Sequence, residues 1–173
     1  MATRGGTTGI SAFFIRAGQN WGHRTFFPSH TANVPLEEVL TSFLMQFYEG
    51  VTPPKLILVD REPVDGEVLA EALGTIAERK VVISVPQRGD RVRLLAQAQR
   101  NAQESLDLRL AENATQVRLR EELCELFDLD APPERIEVYD NSHIQGTNSV
   151  GAMIVSGPEG FIKSQYRKFS IKS

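Results

Sequence analysis

One cysteine, Cys124, is the entire thiol content of the 173-residue chain, so no internal disulfide can form and nothing points to an oxidising compartment. Cys124 lies in an apolar-periodic stretch and reads as a small core residue rather than a nucleophile. Charge of one sign is also scarce. The net charge of -3 creates no strong field toward nucleic acid or an anionic membrane, so any nucleic-acid surface must be local. No run approaches the ~18 apolar residues a membrane helix needs. The start, Met1-Ala2-Thr3-Arg4-Gly5-Gly6, is not followed by the apolar stretch of a signal peptide. These absences predict a cytoplasmic protein with no membrane partner. What remains is a globular balance, 41% apolar and 24% charged, in a chain long enough to bury a core.

Periodicity then divides the chain. Ile10 to Arg16 reads as a strand, Ala17 to Gly22 as a turn-rich stretch, and His23 to Pro28 as a second strand, which together predict a hairpin. After Pro35, residues Leu36, Val39, Leu40, Phe43, Leu44, Phe47 and Tyr48 follow the spacing of one buried helix face. Lys55 to Asp60 and Val81 to Val85 read as strands covered on both faces. Between them, Asp65 is expected to cap a helix through Ala77, with Val68, Leu69, Ala72, Leu73 and Ile76 inward. A long helix from Asp90 is expected to break near Asn113 and to be followed by a shorter one, Gln116 to Phe127.

Strands alternating with helices predict an α/β fold, a mixed sheet with flanking helices and parallel pairing among the later strands. Pro132-Pro133 marks the clearest boundary. Beyond it, Ile136 to Tyr139, Val150 to Val155 and Phe161 to Ile171 read as a three-stranded antiparallel meander, with Gly157-Pro158-Glu159-Gly160 as a turn. The expected organisation is a domain over 1–115, a connecting helix over 116–131 and a meander over 132–173. No helix follows to cover the meander's apolar face, so it reads as a truncated domain.

The segment Ile136 to Gly146 carries the candidate chemistry: an apolar strand ends in an acid, Asp140, and a polar loop with a glycine follows. Two-metal nucleases hold carboxylates on strands to fix Mg²⁺ or Mn²⁺ against a phosphate. Spacing alone favours the plainer reading, an Asp that caps the next turn. Asp140 with His143 supplies too few ligands for a metal.

Two separated motifs go further. Tyr139-Asp140-Asn141-Ser142-His143-Ile144-Gln145-Gly146, and then Lys163-Ser164-Gln165-Tyr166-Arg167-Lys168-Phe169-Ser170-Ile171, closely resemble the opening of the endonuclease domain of the UvrC family, the C subunits of bacterial UvrABC excinucleases. Phe13 to Arg24 and Phe43 to Tyr48 resemble the region that precedes it, so the likeness covers essentially the whole chain. The resemblance implies a ribonuclease H-like endonuclease domain, of which 132–173 is the N-terminal part. It makes Asp140 a catalytic, metal-binding carboxylate for Mg²⁺ or Mn²⁺. It also implies incision of damaged DNA 5′ to a lesion, with DNA and the UvrB–DNA complex as partners. By the same resemblance the remaining catalytic acids, a catalytic histidine, a helix-hairpin-helix DNA-binding module, an N-terminal nuclease domain and the UvrB-contacting segment lie outside this chain. The chain alone is therefore expected to be inactive. His143, Gln145 and Gly146 match the motif without an assigned role, as do Asn20, Trp21 and Arg24.

Two readings compete elsewhere. The first domain reads as a scaffold whose element order permits a degenerate ribonuclease H-like fold; the rival is a small enzyme using Asp60 and Asp65. Trp21 at a hairpin tip either stacks on a base or partner, or folds back over the core, and the glycines around it favour folding back. Lys163, Arg167, Lys168 and Lys172 fall within ten acid-free residues beside the Asp140 meander, and Arg88, Arg91, Arg93 and Arg100 gather near the long helix start. Lys163, Ser164, Tyr166, Arg167 and Lys168 are expected to bind DNA or support the site; a lysine-guarded strand edge fits them nearly as well. A non-catalytic DNA- or partner-binding module is the alternative for the chain as a whole.

Overall fold

The structure is a computed structural model and describes residues 1–144, 147–158 and 160–171. The chain forms two compact units, Met1–Leu108 and Arg109–Ser173. The fold is α/β, as the alternation of elements predicts.

The first unit opens with strand β1 (Ala2–Arg4), followed by β2 (Thr7–Arg16) and β3 (Gln19–Phe26), an antiparallel sheet in the order β1-β2-β3. The sequence reading missed β1, because Ala2-Thr3-Arg4 has no apolar alternation; Gly5 and Gly6, both at positive φ, turn it onto β2. The β2–β3 ladder closes on Arg16↔Gln19 across Ala17 and Gly18, at φ 49° and 75°. This is a two-residue turn of the kind that matches the twist of antiparallel strands. The turn is thus shorter than the expected Ala17 to Gly22, and Gln19–Gly22 belong to β3.

Helix α1 (Leu36–Phe47) starts after Pro35 and buries Val39, Leu40 and Leu44. Its Phe43 and Phe47 rings lie 5.2 and 5.5 Å from the Phe26 ring, and Phe47 lies 6.2 Å from Phe14, so α1 packs on one face of the sheet. The other face meets helix α3 (Asp90–Leu126). A Cβ at Gly9 would sit 3.2 Å from the Ala102 carbonyl oxygen, and Thr25 Oγ1 lies 3.2 Å from Ser105 Oγ. Ala98, Ala102 and Leu106 are the buried stripe of α3 in this unit.

Strands β4 (Leu56–Leu58) and β5 (Val82–Ser84) pair in parallel, joined by helix α2 (Gly66–Ala77). Leu40, Leu44, Tyr48, Ile57, Val59, Leu69, Leu73 and Val81 form the core. Three expectations fail here. The strands are not covered on both faces: Ile57 is buried, whereas the paired Leu56 and Val82 are exposed. Only Leu69 and Leu73 are buried on α2; Val68 (66% exposed) and Ile76 point outward, because a single side of the helix packs on the core. Asp65 does stand before α2, but in the left-handed region and without a side-chain capping bond.

The break expected near Asn113 is absent. Helix α3 runs unbroken for 37 residues. It contains neither proline nor glycine, and Thr115 donates its hydroxyl to the Ala111 carbonyl (3.0 Å) rather than opening the helix.

In the second unit, β6 (Ile136–Ile144) pairs antiparallel with β7 (Thr147–Gly157) from Ile136↔Ser156 to Ile144↔Thr147. The third strand of the expected meander is present in two pieces, β8 (Gly160–Phe161) and β9 (Arg167–Ser170), both antiparallel to β7. A 3-10 turn, Lys163–Gln165, separates them. Val155 is fully buried on β7, and Ile162 donates its N–H to the Val155 carbonyl as the chain leaves β8.

Candidate functional site

Asp140 does not end a strand. β6 continues through Asn141, Ser142, His143 and Ile144, so Asp140 sits in mid-ladder opposite Ala152. This removes both local readings drawn from a following loop, the strand-end acid and the turn cap. The strand reaches further than its apolar residues because β7 offers partners as far as Thr147, and ladder bonds do not require apolar side chains.

The register sets the site. Asp140 pairs with Ala152 and Ala152 pairs with Lys168, so the three stand in one row across β6, β7 and β9. Residues directly opposite project to the same face, which puts Asp140 and Lys168 on one side with only a methyl group between them. Both are exposed. Among the described residues, no hydrogen bond or ion pair holds the Asp140 carboxylate.

The other face carries a different network. Arg135 Nε donates to Glu137 Oε1 (2.6 Å) and Tyr139 Oη donates to Glu137 Oε2 (2.5 Å). Arg135 Nη1 also donates to Gln165 Oε1, which ties the 3-10 turn to the foot of β6. The Tyr139 hydrogen bond, and then the Arg135 hydrogen bond and charge, hold Glu137 below the usual carboxylate range. The Tyr139 phenol is raised by the same bond. Sequence reasoning passed over this network, although Arg135, Glu137 and Tyr139 recur at the period of two that places side chains on one face of a strand.

The expected basic surface is divided. Lys163 and Ser164 lie in the exposed 3-10 turn and Tyr166, half-buried, ends it. Arg167 curls back, donating Nη1 to the carbonyls of Ser164 (3.1 Å) and Tyr166 (2.8 Å). It pairs with Met153 and so lies on the face away from Asp140. Only Lys168 shares the Asp140 row. The backbone of His143 belongs to β6. Gln145, Gly146 and Lys172 lie outside the described residues.

In the first unit, Asp60 is not a free acid. Its buried carboxylate accepts from the Met1 ammonium (2.7 Å), Gln99 Nε2 (3.3 Å) and Arg61 Nε (3.4 Å). Burial pushes its pKa up. The hydrogen bonds and positive charges from Met1 and Arg61, with the Gln99 bond, outweigh that and hold it low. Asp65 is exposed and no bond joins it to Asp60 among the described residues, so the rival enzyme reading loses its pair. Trp21 is 67% exposed, which overturns the expectation that it folds back over the core. Arg16 Cζ lies 5.5 Å from its ring centroid, and the Asn20 side chain accepts from the Gly22 N–H (2.9 Å). Arg24 Cζ lies 5.0 Å from the Phe26 centroid.

A carboxylate is the donor class that Mg²⁺ and Mn²⁺ take. Among the described residues, however, no group of three or more His, Cys, Asp or Glu side chains could hold a metal. The described residues therefore do not complete such a site. No helix among the described residues is long and apolar enough to cross a membrane.

The model of the UvrC ribonuclease H-like domain matches residues 1–109, and that of the UvrC RNase H endonuclease domain matches residues 124–173. The UvrABC system protein C of Sphingopyxis alaskensis is 67% identical over 172 residues, 99% of this chain and 27% of that protein. The protein of the same name from Novosphingobium aromaticivorans is 63% identical over 172 residues, 99% of this chain and 26% of its own length. That of Rhodopseudomonas palustris strain HaA2 is 56% identical over 169 residues, 98% and 24%. The chain thus spans about a quarter of the length of the curated relatives it matches. No solved structure matches.

Proposed function

This chain belongs to the UvrC family, and from that premise we propose that it is the part of a longer repair protein in which a ribonuclease H-like scaffold meets the start of the 5′-incising endonuclease domain. In that protein Asp140 is one ligand for Mg²⁺ or Mn²⁺, and the other ligands come from the rest of the longer chain. Bound metal supplies the activated water and the charge stabilisation that phosphodiester hydrolysis needs. Asp140 contributes a fixed oxygen donor, positioned by a strand rather than a loop. Lys168, in the same row, contributes a cation for a DNA phosphate. The partners are damaged DNA and the UvrB–DNA complex, in the cytoplasm.

The observation that carries this reading is the mid-ladder placement of an exposed carboxylate, unengaged among the described residues, in one row with a lysine. The first unit is assigned a scaffold role, because its buried acid is already committed to Met1, Gln99 and Arg61.

The test uses the full-length protein with its A and B partners on a lesion-bearing duplex. Asp140→Ala is expected to abolish the 5′ cut and to leave the 3′ cut and complex assembly intact. The isolated 173-residue chain is expected to cut nothing. An unimpaired 5′ cut by the Asp140→Ala protein would remove Asp140 from the reaction.

A further inference from the structure

The β2–β3 hairpin ends in a surface that the metal-site reading does not use. Trp21 is 67% exposed and Ile15 45%. Cations lie over aromatic rings along the arm: Arg16 over Trp21 at 5.5 Å and Arg24 over Phe26 at 5.0 Å, with the His23 ring 5.4 Å from that of Phe13. The chain has no acidic residue before Glu37, so the arm itself carries nothing to neutralise them. The tip is also fixed in shape. Its two-residue turn holds both φ angles positive, the register shifts between Phe13 and Ile15 place the extra residue in β3 around Trp21 and Gly22, and Asn20 accepts from the Gly22 N–H. Bulges of this kind re-aim side chains at a strand edge, and β3 is the outer strand of its sheet.

We propose that this arm binds single-stranded DNA, with a base stacked on Trp21 and neighbouring phosphates on Arg16 and Arg24. Stacking on an exposed aromatic combined with a cationic track is how proteins grip unpaired strands without reading sequence. Duplex DNA fits less well, because its base faces are already covered. A protein partner would have to be acidic to match three cationic or titratable side chains with no acid among them. The choice of DNA rests on the repair reading above; the stacking site itself does not depend on Asp140 or on metal.

Trp21 is the only tryptophan in the chain, so its fluorescence reports on the hairpin tip alone. The 173-residue chain is titrated with a dT 12-mer in low and high salt without divalent metal. Saturable quenching that weakens with salt is expected. The double variant Arg16→Glu/Arg24→Glu, checked for fold by circular dichroism, is expected to weaken binding roughly tenfold or more. With a labelled oligonucleotide, Trp21→Ala is expected to weaken binding roughly 5- to 150-fold, while Trp21→Phe retains most of it. The proposal fails if low salt gives no quenching, if a 12-base-pair duplex or polyglutamate quenches as strongly, or if the charge-reversed arm binds unchanged. None of these outcomes bears on the 5′ cut, so this idea and the metal-site reading fail separately.

Discussion

Asp140 and Lys168 stand two strands apart in a single row, with Ala152 between them. Strands two apart are separated by about 10 Å. Arg167, one residue away, faces the opposite side and spends its guanidinium on two carbonyls of its own turn. In the full-length protein, Lys168→Ala is therefore expected to weaken DNA binding and to lower the salt slope by about 0.7 to 0.9, one phosphate contact. Arg167→Ala is expected to leave that slope unchanged. Equal slopes for the two variants in a filter-binding salt series would contradict the assignment of faces.

Asp140 itself is expected to be dispensable for folding. It is exposed and its carboxylate is unengaged among the described residues, so Asp140→Asn should move the melting temperature by no more than about 2 °C. Leu106, fully buried where α3 meets the first sheet, is the contrast: Leu106→Ala should cost about 2–5 kcal/mol in denaturant unfolding. Val68→Ala, on the outer side of α2, should stay within about 0.5 kcal/mol.

The row beside Asp140 offers a packing test. A Cβ on Gly151 would lie 3.0 Å from Asn141 Oδ1 and 3.7 Å from Phe169. Gly151→Ala is expected to destabilise the second unit by about 1 kcal/mol, since the Asn141 side chain must swing away. Asn141→Ala should restore much of that loss. A double-mutant cycle with no coupling would show that the crowding is relieved elsewhere.

Glu137 and Tyr139 give the second unit a pH dependence of known sign. The Glu137 carboxyl is depressed, so its contribution is fully present above the ordinary glutamate value of about 4.3 and is lost as pH falls through the lower folded value. The Tyr139 phenol is raised, so its contribution is present below about 10 and is lost as pH rises through the higher folded value. Carbon-detected NMR titration should place the Glu137 midpoint below the ordinary range. In Tyr139→Phe that midpoint should rise, because the larger of its two stabilising contacts is gone.

Much of this architecture is legible in the residues, and what is not has identifiable causes. The apolar spacing from Leu36 to Tyr48 locates α1 because it is long and strongly periodic. The hairpin from Ile10 to Phe26 follows from aromatic and β-branched strands flanking a glycine turn. The helix continuity across Asn113 is hidden, since Asn113 and Thr115 are weak helix formers and the neighbouring turns decide. β1 is too short and too polar to announce itself. At the site, the motif led to Asp140, but the placement of Lys168 and Arg167 on opposite faces required the register. Reading Phe161 to Ile171 as one uninterrupted strand concealed the 3-10 turn that sets it.

Ala17 occupies the left-handed region at φ 49°, a conformation that costs an ordinary residue about 1–2 kcal/mol. The turn is thus a poor nucleus for the hairpin it closes. The order of folding follows: the strands should zip from Ile10↔Phe26, where Phe43 and Phe47 can gather, toward the tip, which closes last. Ala17→Gly should accordingly slow unfolding more than it hastens folding, and a chevron showing the reverse would place the turn in the nucleus.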